Sequence, residues 1–398
     1  MSGIQRMTAA LGMLLLADCS RLGGSAMLPG NVSNATSTLR ARQESAVFTR
    51  LFSFNGKNGK TPVANLTYSG GMLFGTTYGG GAGDGGTAFK STIGGTQHVL
   101  HSFAGGTDGV LPEAPLLALG NILYGTTING GGSGDEGTIF RVTTDGVERV
   151  LYRFTGHRDG ANPYAGLTEL DGTIYGTTAG GGEHSEGTVF KVSTSGNESV
   201  IYSFGATYRD GQTPIARLLP RSGALYGTTY YGGSGCSSFG CGTVFKVTTS
   251  GAETVVYKFK GGTDGAAPSA ALINLAGTLY GTTRRGGQYN NGTVFKVSAA
   301  GKEIVLYRFK GGTDGAGPLG MTAVNGALYG TTSAGGSSHD GTIFEVTTSG
   351  RETVLHTFKG DGDGTMPQAG LRDVNGTLYG TTAAGGASND GTLFSLKP

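Results

Sequence analysis

Six histidines, three cysteines and a recurring Asp-Gly pair are the side chains of this chain best suited to catalysis or metal binding. The histidines do not converge. His101 and His356 occupy positions held elsewhere by Tyr152, Tyr202, Tyr257 and Tyr307, so packing accounts for them. His98 falls in an apolar run, and His157, His184 and His339 fall in glycine-rich stretches. No His or Cys pair has zinc-ligand spacing. Asp108, Asp159, Asp210, Asp264, Asp314 and Asp363 each precede a glycine, with Asn58 in the equivalent place. Asp-Gly and Asn-Gly form turns, because glycine takes positive φ and Asp or Asn tolerates the geometry. Calcium needs six to eight oxygens, and one Asp per segment does not gather them. Hydrolase chemistry has no Gly-x-Ser-x-Gly elbow to work with. The glycine pairs open no helix on which a phosphate could sit. Asp135-Glu136, and Glu183 with Glu186, read as solvated loop carboxylates. The sequence therefore points to no catalytic residue, no metal site and no cofactor.

The elements that carry these residues are set by a repeat. Gly-Thr-Thr begins at Gly75, Gly125, Gly176, Gly227, Gly281, Gly330 and Gly380. Gly-Thr-x-Phe begins at Gly86, Gly137, Gly187, Gly242, Gly292, Gly341 and Gly391. A proline recurs at 62, 112, 163, 214, 268, 318 and 367. Within one copy, SAALINL, TLYGTT, GTVFKV and EIVLYRF are short, β-rich and bounded by turn residues, so they read as four strands. No sustained helical period appears. Four strands per roughly 50-residue repeat make a propeller blade. The fold class is all-β, a seven-bladed β-propeller of four-stranded blades. The chain ends on a third strand, GTLFSL at 391–396, and VFTRLFSF at 47–54 matches a fourth. The N-terminal strand is thus expected to complete blade seven and remove the open edge. Phenylalanines of the third and fourth strands should fill the gaps between blades. Glycine beside each second-strand aromatic should allow close backbone approach.

The run LYGTT–GG–GTVFKV–G–E–VLY-F-G–DG–P resembles the bacterial choice-of-anchor, or GloVer, tandem-repeat family, over residues 47–398. The blade layout is also similar to a kelch blade. The resemblance implies an exported protein held at the cell surface, with no catalytic residues and no defined ligand.

The N-terminus agrees with export. Residues 1–18 read as a signal peptide with Arg6 and a short apolar core, too short to span a bilayer. Leu15-Leu16-Ala17-Asp18-Cys19 resembles a lipobox, apart from Asp18, and makes Cys19 a candidate for lipidation. Residues 19–45 read as a flexible tether and 46–398 as the propeller. Cys236 and Cys241 lie in a loop insertion and suit a disulfide in an oxidising compartment. A net charge of +2 without a basic cluster argues against nucleic acid.

Loops after the second and fourth strands share one face of each blade, and they are the long ones. Departures from the repeat gather there in blades three to five. Tyr208, Arg209, Tyr230, Tyr231, Arg285 and Tyr289 are the candidate ligand-binding residues, since Tyr and Arg pair apolar area with directed hydrogen bonds. The sequence reading is a monomeric, exported binding module for an extracellular glycan or protein, touching membrane only through a lipid anchor. The alternative is a propeller glycosidase or lyase acting on a polysaccharide. That alternative requires several acids or a histidine at the central funnel.

Overall fold

A computed structural model describes residues 46–207, 209–236, 239–360 and 362–398. The signal segment, Cys19 and the tether lie outside the described residues, as does Tyr208. Seven four-stranded antiparallel sheets form the blades, numbered here in chain order from the one at 67–102. Blade five is representative, with strands Ile273–Leu275, Thr278–Thr283, Thr293–Val297 and Glu303–Arg308. First strands of neighbouring blades touch one another around the axis. Second and third strands are buried, and fourth strands form the outer rim. The sole helical element among the described residues is a single 3-10 turn, Gly312–Asp314.

Each letter of the repeat has a mechanical role. The glycine of Gly-Thr-Thr pairs across the sheet with the third-strand phenylalanine, as Gly281 does with Phe295. A Cβ on Gly281 would sit 2.5 Å from the Phe295 ring. The glycine thus makes room for a ring within its own blade rather than for a neighbouring backbone, which corrects the expectation above. The first threonine reaches the next blade: Thr76 donates to the Ala114 carbonyl at 3.1 Å and Thr331 to Ala369 at 2.7 Å. The second threonine shares a buried hydroxyl pair with the threonine of Gly-Thr-x-Phe, as in Thr283 with Thr293 at 2.8 Å. The glycine of Gly-Thr-x-Phe has φ near +92° at Gly292, and the next proline, Pro318, packs on it. The three markers are therefore one interlocked contact.

Between blades, a fourth-strand phenylalanine meets the third-strand phenylalanine of the next blade edge to face. Phe204 and Phe245 lie 5.0 Å apart, Phe309 and Phe344 5.0 Å, and Phe54 and Phe89 5.3 Å. Such pairs favour this geometry because ring edges are positive and faces negative. The expected inter-blade packing is present all the way round.

The closing strand is also where the sequence placed it. Val47–Ser53 pairs with Thr392–Lys397 as the outer strand of blade seven. Six of the seven first strands are shorter than expected, as where SAALINL narrows to Ile273–Leu275, while blade six keeps a long one, Ala316–Val324. In those six blades the residues ahead of the first strand run irregularly along the axis, and that difference determines where the candidate site lies.

Candidate functional site

The segment from each recurring proline to the first strand descends from the long-loop face toward the axis. Seven such segments enclose a cavity of about 130 Å³. The residue after the proline is Val63, Glu113, Tyr164, Ile215, Ser269, Leu319 and Gln368 in blade order. Deeper in, the residue two further on is Asn65, Pro115, Gly166, Arg217, Ala271 and Gly370, with Gly320 taking this place in blade six. The blade-six segment is one residue shorter, so Thr282 bonds Leu319 where Thr228 bonds Ala270.

Both rings of positions are irregular where the outer shell is strict. Among the described residues Glu113 is the single carboxyl lining the cavity, and Arg217 the single guanidinium. Burial pushes the Glu113 carboxyl up to about 7, with Arg284 pulling it back. Burial lowers the Arg217 pKa, and the like charge of Arg372 lowers it further. Among the described residues neither Glu113 nor Arg217 has a hydrogen-bond or ion-pair partner. Tyr164 and Tyr78 flank Glu113; burial raises both phenols, and the Glu113 charge adds to it. Tyr164 packs with Ile128, Ala179 and Ile215 as an apolar wall. Asn65 is fixed by accepting the Gly370 N–H at 2.6 Å.

Of the sequence-derived candidates, Tyr230 is buried at 4% exposure, which excludes it as an exposed anchor. It packs on Ile215 and stands edge-on to Tyr231 at 4.8 Å. An additional ribbon, Gly211–Gln212 with Tyr231–Gly232, holds this stretch. Tyr231 is half-buried between Tyr230 and Phe239, with the Arg285 charge close enough to act on its phenol. Tyr289 is 50% exposed and Arg209 is exposed. The structure thus brings Tyr230, Tyr231 and Arg285 together as the outer side of the cavity wall. Cys236 and Cys241 form a disulfide, with Cα atoms 5.4 Å apart, against Gly261.

The sequence reading missed Glu113, Arg217 and Tyr164. Aligning the seven proline segments exposes them, because each column mixes small, apolar and charged residues. It also undervalued the Asp-Gly residues. Besides shaping turns, each Asp accepts from the aromatic position of its own fourth strand. Tyr257 Oη lies 2.8 Å from Asp264, Tyr307 Oη donates to Asp314, and His101 Nε2 lies 3.1 Å from Asp108. A glutamate from the next blade joins five of the seven seams, and Gln97 takes its place where blade one meets blade seven. Burial pushes Glu148, Glu198, Glu253, Glu303 and Glu352 up to about 7, and the charge of the neighbouring Asp adds to it. At blade seven Phe48 replaces that glutamate and stacks on His356 at 3.9 Å. His101, Asp108 and Glu148 bring three ligand-type atoms within 4.8 Å, a cluster that sequence spacing did not reveal. The same slot is filled by Tyr, Asp and Glu in other seams, so the repeat accounts for it as a staple.

No helix among the described residues is long and apolar enough to cross a membrane. Strict seams around one irregular axial cavity define a seven-bladed propeller of the kelch-like kind. The model of the Gloeobacter/Verrucomicrobia repeat matches residues 25–239 and 234–398. The chain belongs to that family. No curated protein matches it in sequence. Among solved structures it is similar to the computationally designed Ika8 protein, at 15% identity and a TM-score of 0.48, over 86% of this chain and 98% of that one. It is also similar to a puromycin hydrolase mutant, at 14% identity and a TM-score of 0.46, over 81% of this chain and 50% of that one.

Proposed function

We propose that the protein is an exported, non-enzymatic binding module whose ligand enters the axial cavity from the long-loop face. One observation carries this reading. Residues that hold the blades together repeat in every copy, whereas along the cavity only the alanine two residues after the proline recurs and the positions on either side of it change from copy to copy. A scaffold requirement would act on all seven alike. Concave, largely preformed cavities with a few polar groups are where small ligands bind. Exposed Tyr289 and Arg209, with half-buried Tyr231 and Arg285, offer a rim for the remainder of a glycan or a protein surface. Export, with Cys19 as a lipid anchor, follows from the N-terminal sequence and suits the disulfide. Glycosidases use two carboxyl groups across the scissile bond. Among the described residues the cavity lining supplies Glu113 alone, which favours binding over hydrolysis.

The test is a screen of glycans, peptides and small metabolites, read by affinity and by turnover. Full-length protein is compared with Ala271→Trp, which fills the cavity and leaves the rim intact. Saturable binding without turnover, lost on filling the cavity, supports the proposal. Turnover of a glycan, or binding indifferent to Ala271→Trp, rejects it.

A further inference from the structure

Glu113 and Arg217 are half-buried in the cavity wall, and a charge partly withdrawn from water favours a partner. Here two of opposite sign line one cavity and neither has a partner among the described residues. Nor do they serve one another: the charge acting on Arg217 is that of Arg372, and the cation acting on Glu113 is Arg284. The repeat does not demand either. At the position of Arg217 the other blades carry Asn, Pro, Ala or Gly, and the small residues Gly166 and Ala271 belong to the same lining.

Resting on the reading of this cavity as a ligand site, we propose that it takes a small organic carboxylate carrying a hydroxyl or ammonium donor. The carboxylate docks on Arg217 and the donor on Glu113. A guanidinium presents a planar fork that matches a carboxylate with two parallel hydrogen bonds. Arg372, on the first strand of blade seven, adds positive potential at the same depth without closing the site. Glu113 and Arg217 come from the segments leading into blades two and four and line the same cavity, so one molecule held there is offered both groups. A carboxylate suits the cavity better than phosphate. Glu113 would repel a dianion more strongly than a monoanion, and a single guanidinium offers no nest of donors for three oxygens. Uronic acids and amino acids share the required chemistry.

The experiment measures calorimetric affinity and thermal shift of the full-length protein with D-glucuronate, L-serine, their methyl esters, acetate and inorganic phosphate. Glucuronate or serine is expected to bind saturably, and the corresponding ester to bind at least about tenfold more weakly. Preference between the two identifies the donor as hydroxyl or ammonium. Arg217→Ala and Arg217→Met should each weaken the preferred acid by about tenfold or more. Their melting should stay unperturbed, because the guanidinium is bound to nothing among the described residues. Glu113→Gln should weaken the preferred acid by about fivefold and leave acetate unchanged. No saturable binding by either acid, tighter binding of phosphate, or full affinity in both Arg217 variants overturns the proposal. Full affinity in the Arg217 variants combined with loss in Ala271→Trp overturns the ligand class and keeps the cavity. Retention in all of these variants removes the cavity as well.

Discussion

The seams between blades and the lining of the axis are built by the same seven repeats, yet they obey opposite rules. In the seams every copy supplies the same phenylalanine pair, a threonine bonded to the next blade's proline segment, and within each blade the same buried threonine pair. Along the axis the corresponding positions hold Val63, Glu113, Tyr164, Ile215, Ser269, Leu319 and Gln368. The difference teaches that closure of the ring constrains the seams alone. The side chains facing the axis share no contact that recurs in all seven copies, so ring closure does not dictate their identity.

The comparison breaks most easily at the closing seam. Deleting 46–54 removes the outer strand of blade seven and uncovers the edge of Thr392–Lys397. The expected result is loss of soluble monomer by size exclusion, because an unpaired edge strand templates association. A soluble monomer with unchanged melting would show that the ring does not depend on this strand. Next in size, Phe245→Ala opens the seam between blades three and four and should cost about 3–5 kcal/mol in urea denaturation. Replacing Cys236 and Cys241 by serine should cost about 2 kcal/mol, the value for a short closed loop. Mass spectrometry of the native protein should find that pair two hydrogens below the reduced form.

A subtler break uses pH. Burial raises five seam glutamates from the ordinary 4.5 to about 7, so the folded state holds protons that the unfolded chain releases. The stability they contribute is fully present below about pH 4.5 and is lost as pH rises through 7. His356 opposes this weakly, because burial lowers its pKa and favours folding at higher pH. Thermal melting of Glu303→Gln, which mimics the protonated acid, should exceed the parent at pH 8 and match it at pH 4.5. Equal melting at both values would mean the seam carboxyls are not buried as described. The smallest effect belongs to the axis. Arg217→Ala should shift stability by no more than about 0.5 kcal/mol, as at sites outside the packing. A large loss would place Arg217 among the seam residues and dissolve the contrast.

How much was legible follows from the same contrast. Gly281, Thr282, Thr283 and Phe295 recur in sequence because each has a fixed geometric duty, so fold, blade count and closing strand could be read directly. Tyr230 misled because a break in the pattern beside a long loop resembles an exposed anchor. In fact it packs on Ile215 under the ribbon at Tyr231. Glu113 and Arg217 were passed over because they lie in short segments that look like ordinary strand leads. Only the narrowing of the first strands, which propensity does not report, turns those segments toward the axis. The glutamates of the seams were hidden for another reason: each meets its Asp across a blade boundary, some forty residues away in sequence.

The closing strand has one more consequence, a polarity of display. Val47–Ser53 runs from the short-turn face toward the long-loop face, and Lys397 pairs with Val47 at its starting end. Anything that holds the chain upstream of Ala46 therefore grips the propeller by its plain side. Under the proposed anchor at Cys19, the attachment would enter the described propeller at its plain side, opposite the long loops around the axial cavity.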